Sequence, residues 1–167
     1  MNKALLVMDM QNFCVGENAC DMFRYNKSEL IKNINSIISK YDYDQVYYII
    51  NLLEDNEFNR QAPFKAFEGC YDAELVENLC VVNDKVFKKY ESNAFSNEYL
   101  TEALKVSQVD EIEIVGVDGG GCVALTAIDA IKRGYKVVLN TKGIGTIFKE
   151  KAEIYNQELM KMGAEFI

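Results

Sequence analysis

The sequence predicts an α/β fold, in which an open, mostly parallel sheet of about six strands lies between two layers of helices. Short apolar runs typical of buried strands alternate along the chain with segments whose apolar residues recur at helical spacing. The strands are almost uniformly apolar, which is typical of parallel strands covered on both faces. This alternation predicts βαβ units in a Rossmann-like, three-layer α/β/α sandwich.

The predicted elements follow from apolar runs, helical periods and stop signals. We predict strands over 3–8, 45–53, 81–88, 111–117, 136–139 and 164–167, and helices over 29–40, 72–79, 97–106, 121–133 and 147–162. Residues 54–71 have no clean period and contain the single proline, Pro63, so we expect a long loop there. Without a linker, repeat or low-complexity segment, residues 1–167 are expected to form one domain.

Charge and composition favour a cytoplasmic protein that acts on small molecules. The formal net charge of -8 disfavours nucleic acid and anionic membranes as partners, because both attract basic surfaces. No apolar stretch approaches the roughly 20 residues that span a bilayer, and we expect no targeting signal at Met1. The 5 cysteines are irregularly spaced without a Cys-x-x-Cys pair, which fits reduced thiols better than a disulfide framework.

The absence of histidine narrows the possible chemistry most. With 0 histidines, neither a Ser-His-Asp nor a Cys-His catalytic arrangement is available, and the usual imidazole metal sites are missing. Acid–base chemistry must therefore use carboxylates, lysine, tyrosine or cysteine, and we expect neither a metal nor another cofactor.

Polar residues follow three of the predicted strands at their carboxyl ends. Asp9 follows the first strand, Lys88 and Lys89 end the third, and Asp118 and Cys122 follow the fourth. Carboxyl ends of parallel strands meet at one edge of the sheet, where ligands bind at a topological switch point. We therefore expect these side chains to converge.

Cys122 is the best candidate nucleophile. It follows three glycines at the first turn of a predicted helix, where unpaired amides and the helix dipole favour a thiolate, so we expect a lowered thiol pKa. The same amides can hold an oxyanion. Asp9 is the candidate base, and Lys89 the charge that stabilises both partners. The other four cysteines, Cys14, Cys20, Cys70 and Cys80, are expected to act as small buried apolar residues.

Three motifs resemble those of the isochorismatase-like cysteine hydrolases. Residues 8–13 (MDMQNF) resemble that family's D-x-Q-N-(D)-F, residues 89–95 (KYESNAF) its K-x-x-x-S-A-F, and residues 116–123 (GVDGGGCV) its G-V-x-T-D-x-C-V. The motifs occur in order, each after its expected strand. Gly119 and Gly120 replace the family's Thr-Asp pair, which we expect to loosen the loop before Cys122.

The resemblance implies a metal-free hydrolase of small amides or ureides that works through a thioester. It implies an Asp9–Lys89–Cys122 triad, selecting Lys89 over Lys88. It also implies a cis peptide at Val117–Asp118 that helps to form an oxyanion hole with Cys122. The substrate pocket is expected to be lined by Phe13, Phe95 and the 54–71 loop, and a second subunit of a homo-oligomer to supply a wall. The loop contains no histidine, which disfavours the metal site of nicotinamidases.

Two other functions stay open at this point. The chain could be a catalytically silent relative that binds a small molecule, or an isochorismate-type hydrolase that cleaves a vinyl ether without using the thiol. Alternatively, the Asp118–Gly121 loop could bind nucleotide phosphates in an ATPase, because glycine amides at a helix start bind anions.

Overall fold

The computed structural model describes residues 1–167 and contains six strands and five α-helices. The strands are β1 (Lys3–Met8), β2 (Val46–Asn51), β3 (Val86–Lys89), β4 (Glu111–Val117), β5 (Lys136–Gly145) and β6 (Glu165–Phe166). The helices are α1 (Asn12–Val15), α2 (Lys27–Ile38), α3 (Glu98–Val106), α4 (Cys122–Lys132) and α5 (Lys149–Lys161). No helix combines the length and the apolar character needed to cross a membrane.

The predicted sheet and its three layers are confirmed. All strand pairs are parallel, and the strand order is β3-β2-β1-β4-β5-β6. One face packs against apolar residues of α3, α4 and α5, and the other packs mainly against α2. The chain builds the sheet outward from β1 on one side and from β4 on the other. The boundary between β1 and β4 is therefore the topological switch point.

Three predicted elements differ most from the structure. Residues 72–79 form no α-helix; only Tyr71–Ala73 make a short 3-10 turn. The following residues are extended, and Val76 N–H donates to the Met10 carbonyl at 2.9 Å. Strand 81–88 begins only at Val86, while β5 continues past residue 139 to Gly145.

A glycine lets β4 lie close to the residue that precedes Asp9. Gly116 pairs with Met8 across β1 and β4, and its φ is +113°. A Cβ at Gly116 would overlap with the backbone of Met8. Only glycine combines this left-handed conformation with such a close approach.

Replacing Gly116 by alanine should lower the free energy of unfolding by about 3 kcal/mol or more, because steric overlap adds to backbone strain. Gly134→Ala is the matched control. Gly134 also has a positive φ, +92°, but a Cβ there meets no atom within 4 Å. This control should cost only about 1 kcal/mol. Urea denaturation measures the free energy of unfolding of both variants. An equal loss of stability in the two variants would contradict the packing explanation.

Candidate active site

Asp9 lies directly after β1 with an unusual backbone conformation. Its φ of 53° is in the left-handed region. The backbone is held there because its N–H donates to Ile49 O at 2.9 Å, and its carbonyl accepts from Gln11 N–H at 2.8 Å. The Cys14 thiol also donates to this carbonyl, at 2.8 Å. These bonds fix the buried carboxylate at the carboxyl edge of the sheet.

Lys89 ends β3 with a completely buried side chain, 0% exposed. Its Nζ donates to Asp9 Oδ2 at 3.0 Å, to Asn51 Oδ1 at 2.9 Å and to Cys122 Sγ at 3.3 Å. A lysine ammonium has three protons, so the three contacts use all of them. The structure thus brings Asp9, Lys89 and Cys122 together around one ammonium.

Lys88 points the other way. Its side chain is half exposed and pairs with Glu68 on the surface. Successive side chains in a strand face opposite sides of the sheet, which explains why only one of the two lysines reaches the site.

Burial dominates the titration of the three groups. Burial and the negative charge of Asp9 raise the pKa of the Cys122 thiol to about 12, against the lowering effect of Lys89. Burial raises the pKa of Asp9 as well, against the lowering effects of Lys89 and Cys122. Burial lowers the pKa of Lys89, but Asp9 and Cys122 outweigh it and hold this pKa above its usual value.

The expected lowering of the Cys122 pKa is therefore wrong. Desolvation and the negative charge of Asp9 disfavour the thiolate more strongly than Lys89 favours it. From these pKa directions we expect a neutral thiol beside the Lys89 ammonium at neutral pH. Asp9 Oδ1 is buried and has no hydrogen-bond partner, so it is free to accept a proton. A carboxylate with a raised pKa is also a stronger base.

The loop before α4 begins with a cis peptide bond between Val117 and Asp118. The Asp118 carboxylate accepts from Gly120 N–H at 3.2 Å and from Ile147 N–H at 2.7 Å, which ties this loop to the segment after β5. The N–H groups of Asp118 and Cys122 donate to no protein acceptor. Two unpaired amides beside a nucleophile can bind an oxyanion.

The glycines do not loosen this loop, contrary to expectation. A Cβ at Gly119 would overlap with Thr146 Oγ1, and one at Gly120 would overlap with the Phe148 carbonyl. Gly119 N–H also donates to Gly145 O at 3.0 Å. Close packing against the chain after β5 fixes the segment in which the family motif has Thr-Asp.

The two expected pocket residues lie in different surroundings. Phe13 stacks on Phe64 of the long loop at a centroid distance of 4.6 Å. The ring of Phe95 stacks on the ring of Tyr135 at a centroid distance of 6.0 Å, and the Arg133 guanidinium lies over its face. Arg133 follows the end of α4, about 16 Å along the helix from Cys122. Phe95 is therefore a core residue, and its expected place in the pocket does not fit.

Two cavities of the structure lie away from the triad. One of about 480 Å³ borders α2 near Ser28 and Asn78, and one of about 450 Å³ borders β3 near Cys70 and Val86. Asp9, Lys89 and Cys122 line neither.

Sequence reasoning missed Asn51, the third acceptor of Lys89. It ends β2 and pairs in register with Lys89. Like Asp9 and Lys89, Asn51 is a polar residue at the carboxyl end of a strand. The sequence places it inside a strand instead, because the apolar run 45–53 continues past Asn51 through two leucines.

The sequence matches the model of one protein family, described as the isochorismatase domain, over residues 3–167. The chain belongs to the isochorismatase domain family. This family contains hydrolases, including amidases and nicotinamidases. A protein of Arabidopsis thaliana named a probable inactive nicotinamidase is 26% identical over 148 residues, which cover 80% of this chain and 75% of that protein.

Solved structures with similar folds include three hydrolases. An isochorismatase-like hydrolase from Alkaliphilus metalliredigens is 24% identical with a TM-score of 0.81, over 99% of this chain and 93% of that chain. An N-carbamoylsarcosine amidase from Thermoplasma acidophilum is 22% identical with a TM-score of 0.81, over 99% and 95%. A pyrazinamidase of Pyrococcus horikoshii in complex with zinc is 22% identical with a TM-score of 0.83, over 100% and 99%. These similarities show a shared fold.

The residues of this chain do not fit a zinc ion such as the one bound by the Pyrococcus protein. No group of three or more histidine, cysteine, aspartate or glutamate side chains is arranged to hold a metal. Asp9, the carboxylate of the site, is instead paired with the Lys89 ammonium at 3.0 Å.

Replacing Lys89 by methionine should raise the pKa of Cys122 further, because the ammonium stabilises the thiolate. The rate of Cys122 alkylation by iodoacetamide at a fixed alkaline pH should fall about tenfold or more, since one pKa unit corresponds to a tenfold change in thiolate. Peptide mass spectrometry follows this rate. Lys88→Met, which removes a surface lysine, is the control and should leave it unchanged. A slower rate in Lys88→Met and an unchanged rate in Lys89→Met would show that Lys88, and not Lys89, stabilises the thiolate.

Proposed function

We propose that this protein is a cytoplasmic cysteine hydrolase that cleaves the C–N bond of a small amide or ureide through a thioester on Cys122. The observation that carries this proposal is the single buried Lys89 ammonium. It contacts Asp9 at 3.0 Å and Cys122 at 3.3 Å, while the second oxygen of Asp9 is free. All five cysteines are free, which fits a reducing compartment.

The first half-reaction forms the thioester. Asp9 takes the thiol proton as Cys122 Sγ attacks the carbonyl carbon, so a high thiol pKa is compatible with catalysis. The N–H groups of Asp118 and Cys122 receive the negative charge on the carbonyl oxygen. The C–N bond then breaks, and protonated Asp9 returns its proton to the leaving nitrogen. Ammonia or an amine departs.

The second half-reaction regenerates the enzyme. Asp9 takes a proton from a water molecule that attacks the thioester carbon, and the same two amides stabilise the second oxyanion. The C–S bond breaks, protonated Asp9 returns its proton to the sulfur, and a carboxylic acid (a carbamic acid from a ureide) is released. Lys89 keeps its charge throughout and fixes the carboxylate and sulfur relative to each other.

An ATPase is disfavoured by the occupied amides of the glycine loop. The N–H groups of Gly119, Gly120 and Gly121 donate to Gly145 O, Asp118 Oδ2 and Asp118 O. A phosphate loop needs a run of unpaired amides that point at the anion.

A catalytically silent or isochorismate-type relative is the second candidate. The observation in its favour is the similarity to a plant protein named a probable inactive nicotinamidase. The two candidates differ in their need for the thiol. Binding of a small molecule or cleavage of a vinyl ether would survive removal of Cys122 Sγ, whereas amide hydrolysis through a thioester would not.

Screening small amides and ureides for ammonia release tests the hydrolase directly. Cys122→Ala should abolish turnover, and Asp9→Asn should lower it by roughly 10²–10⁴-fold because the base is lost. Cys80 is exposed rather than buried as expected, so Cys80→Ala is the control and should keep full activity. Activity that persists in Cys122→Ala would contradict the thioester mechanism.

We also propose that a second copy of the chain closes the site in a homo-oligomer. Large aromatic side chains are exposed in the segments after β2 and β3, among them Phe58 and Tyr99, 84% and 81% exposed. Exposed aromatics are enriched at interfaces. Sedimentation equilibrium should give a dimer or a larger assembly that Phe58→Asp weakens. Tyr43→Asp, at an exposed tyrosine before β2, should leave it intact, and a monomer at all concentrations would contradict the proposal.

A further inference from the structure

The orientation of the Asn51 side chain follows from its contact with Lys89. Lys89 Nζ can only donate hydrogen bonds, so the carboxamide must present its oxygen to it, as it does at 2.9 Å. The amide nitrogen, Nδ2, therefore points away from the ammonium. The buried ion pair fixes which end of Asn51 is available to a ligand.

The backbone of Asn51 is held just as firmly. The fully buried Gln11 side chain accepts from Asn51 N–H at 2.7 Å and donates to Asn51 O at 2.9 Å. A second Gln11 proton bonds the Ala73 carbonyl at 2.8 Å. These bonds and the pairing with Lys89 leave Asn51 little freedom to turn.

The Nδ2 group of this fixed carboxamide has no partner. It donates to no protein atom, and it is not fully buried, so part of its surface is exposed. Asn51 is only half-buried, and its neighbour Lys89 lies 3.3 Å from Cys122 Sγ. A rigid, unpaired donor near a nucleophile can discriminate between substrates. An analogue that lacks the acceptor leaves the donor without a hydrogen bond and therefore binds more weakly.

We propose that Asn51 is a specificity-determining residue, whose Nδ2 donates a hydrogen bond to a carbonyl oxygen of the substrate a few bonds away from the scissile amide. The preferred substrates are then small dicarbonyl compounds rather than simple alkyl amides. This inference rests on the proposed function for the reaction at Cys122, but the contact itself needs only binding next to the thiol.

Two matched electrophiles test the contact without requiring turnover. N-acetonyl iodoacetamide carries a ketone oxygen in its tail, and N-methallyl iodoacetamide has a tail of the same planar shape with a methylene in place of that oxygen. Alkylation of Cys122 by each is followed by peptide mass spectrometry at one alkaline pH. Alkylation of the exposed Cys80 in the same sample corrects for the intrinsic reactivity of each reagent.

In the wild type, the corrected rate at Cys122 should be roughly three- to tenfold higher for the acetonyl reagent, the effect of one hydrogen bond. Asn51→Ala and Asn51→Asp should both reduce this ratio to about one. Asn51→Asp keeps an acceptor for Lys89 but lacks the donor. Any change in thiol reactivity affects both reagents equally and cancels in the ratio, so a purely structural role would not alter it.

Equal corrected rates in the wild type would overturn the proposal, as would a preference that survives in both variants. The outcome is independent of hydrolysis. If the ratio behaves as expected but no amide in the screen releases ammonia, the proposed hydrolase fails while the role of Asn51 in binding stands. If ammonia is released but the ratio is one, only the role of Asn51 fails.

Discussion

A buried ammonium at the carboxyl edge of the sheet is the constraint on which the site depends. Lys89 is 0% exposed, and removing such a charge from water is costly unless every proton finds an acceptor. Asp9, Asn51 and Cys122 supply the three acceptors from the ends of β1 and β2 and from the start of α4. The left-handed backbone of Asp9 and the close approach at Gly116 bring these acceptors into range.

The same burial decides the chemistry of the thiol. The start of a helix and a neighbouring lysine favour a thiolate, but desolvation and the negative charge of Asp9 together prevail and raise the pKa of Cys122 to about 12. A resting thiol of this kind is a poor nucleophile for passing electrophiles. We infer that it becomes reactive only when a bound carbonyl group lets the proton move to Asp9 as the C–S bond forms.

Much of the fold and part of the site follow from local sequence patterns. Strand β4 has the predicted bounds, because an uninterrupted apolar run between polar segments leaves little choice. The segment 72–79 resembled a helix locally, but it pairs with the chain after β1, and that long-range contact leaves no local signal. Asn51 was hidden by a strand end placed too late, and Phe95 was assigned to the pocket although its ring packs toward the other end of α4. The opposing effects on the Cys122 pKa required the burial of each group, which a sequence does not give.

The protonation state of Cys122 in the resting protein is the most direct test of this view of the site. Cysteine labelled with ¹³C at Cβ reports it by NMR, and comparison with Cys122→Ser assigns the resonance. We expect the resonance of a neutral thiol throughout the neutral range, with ionisation beginning only as the pH approaches a pKa of about 12. A thiolate resonance at neutral pH would contradict the account, because it would mean that the helix start and Lys89 outweigh burial and that Asp9 is not needed to remove the proton.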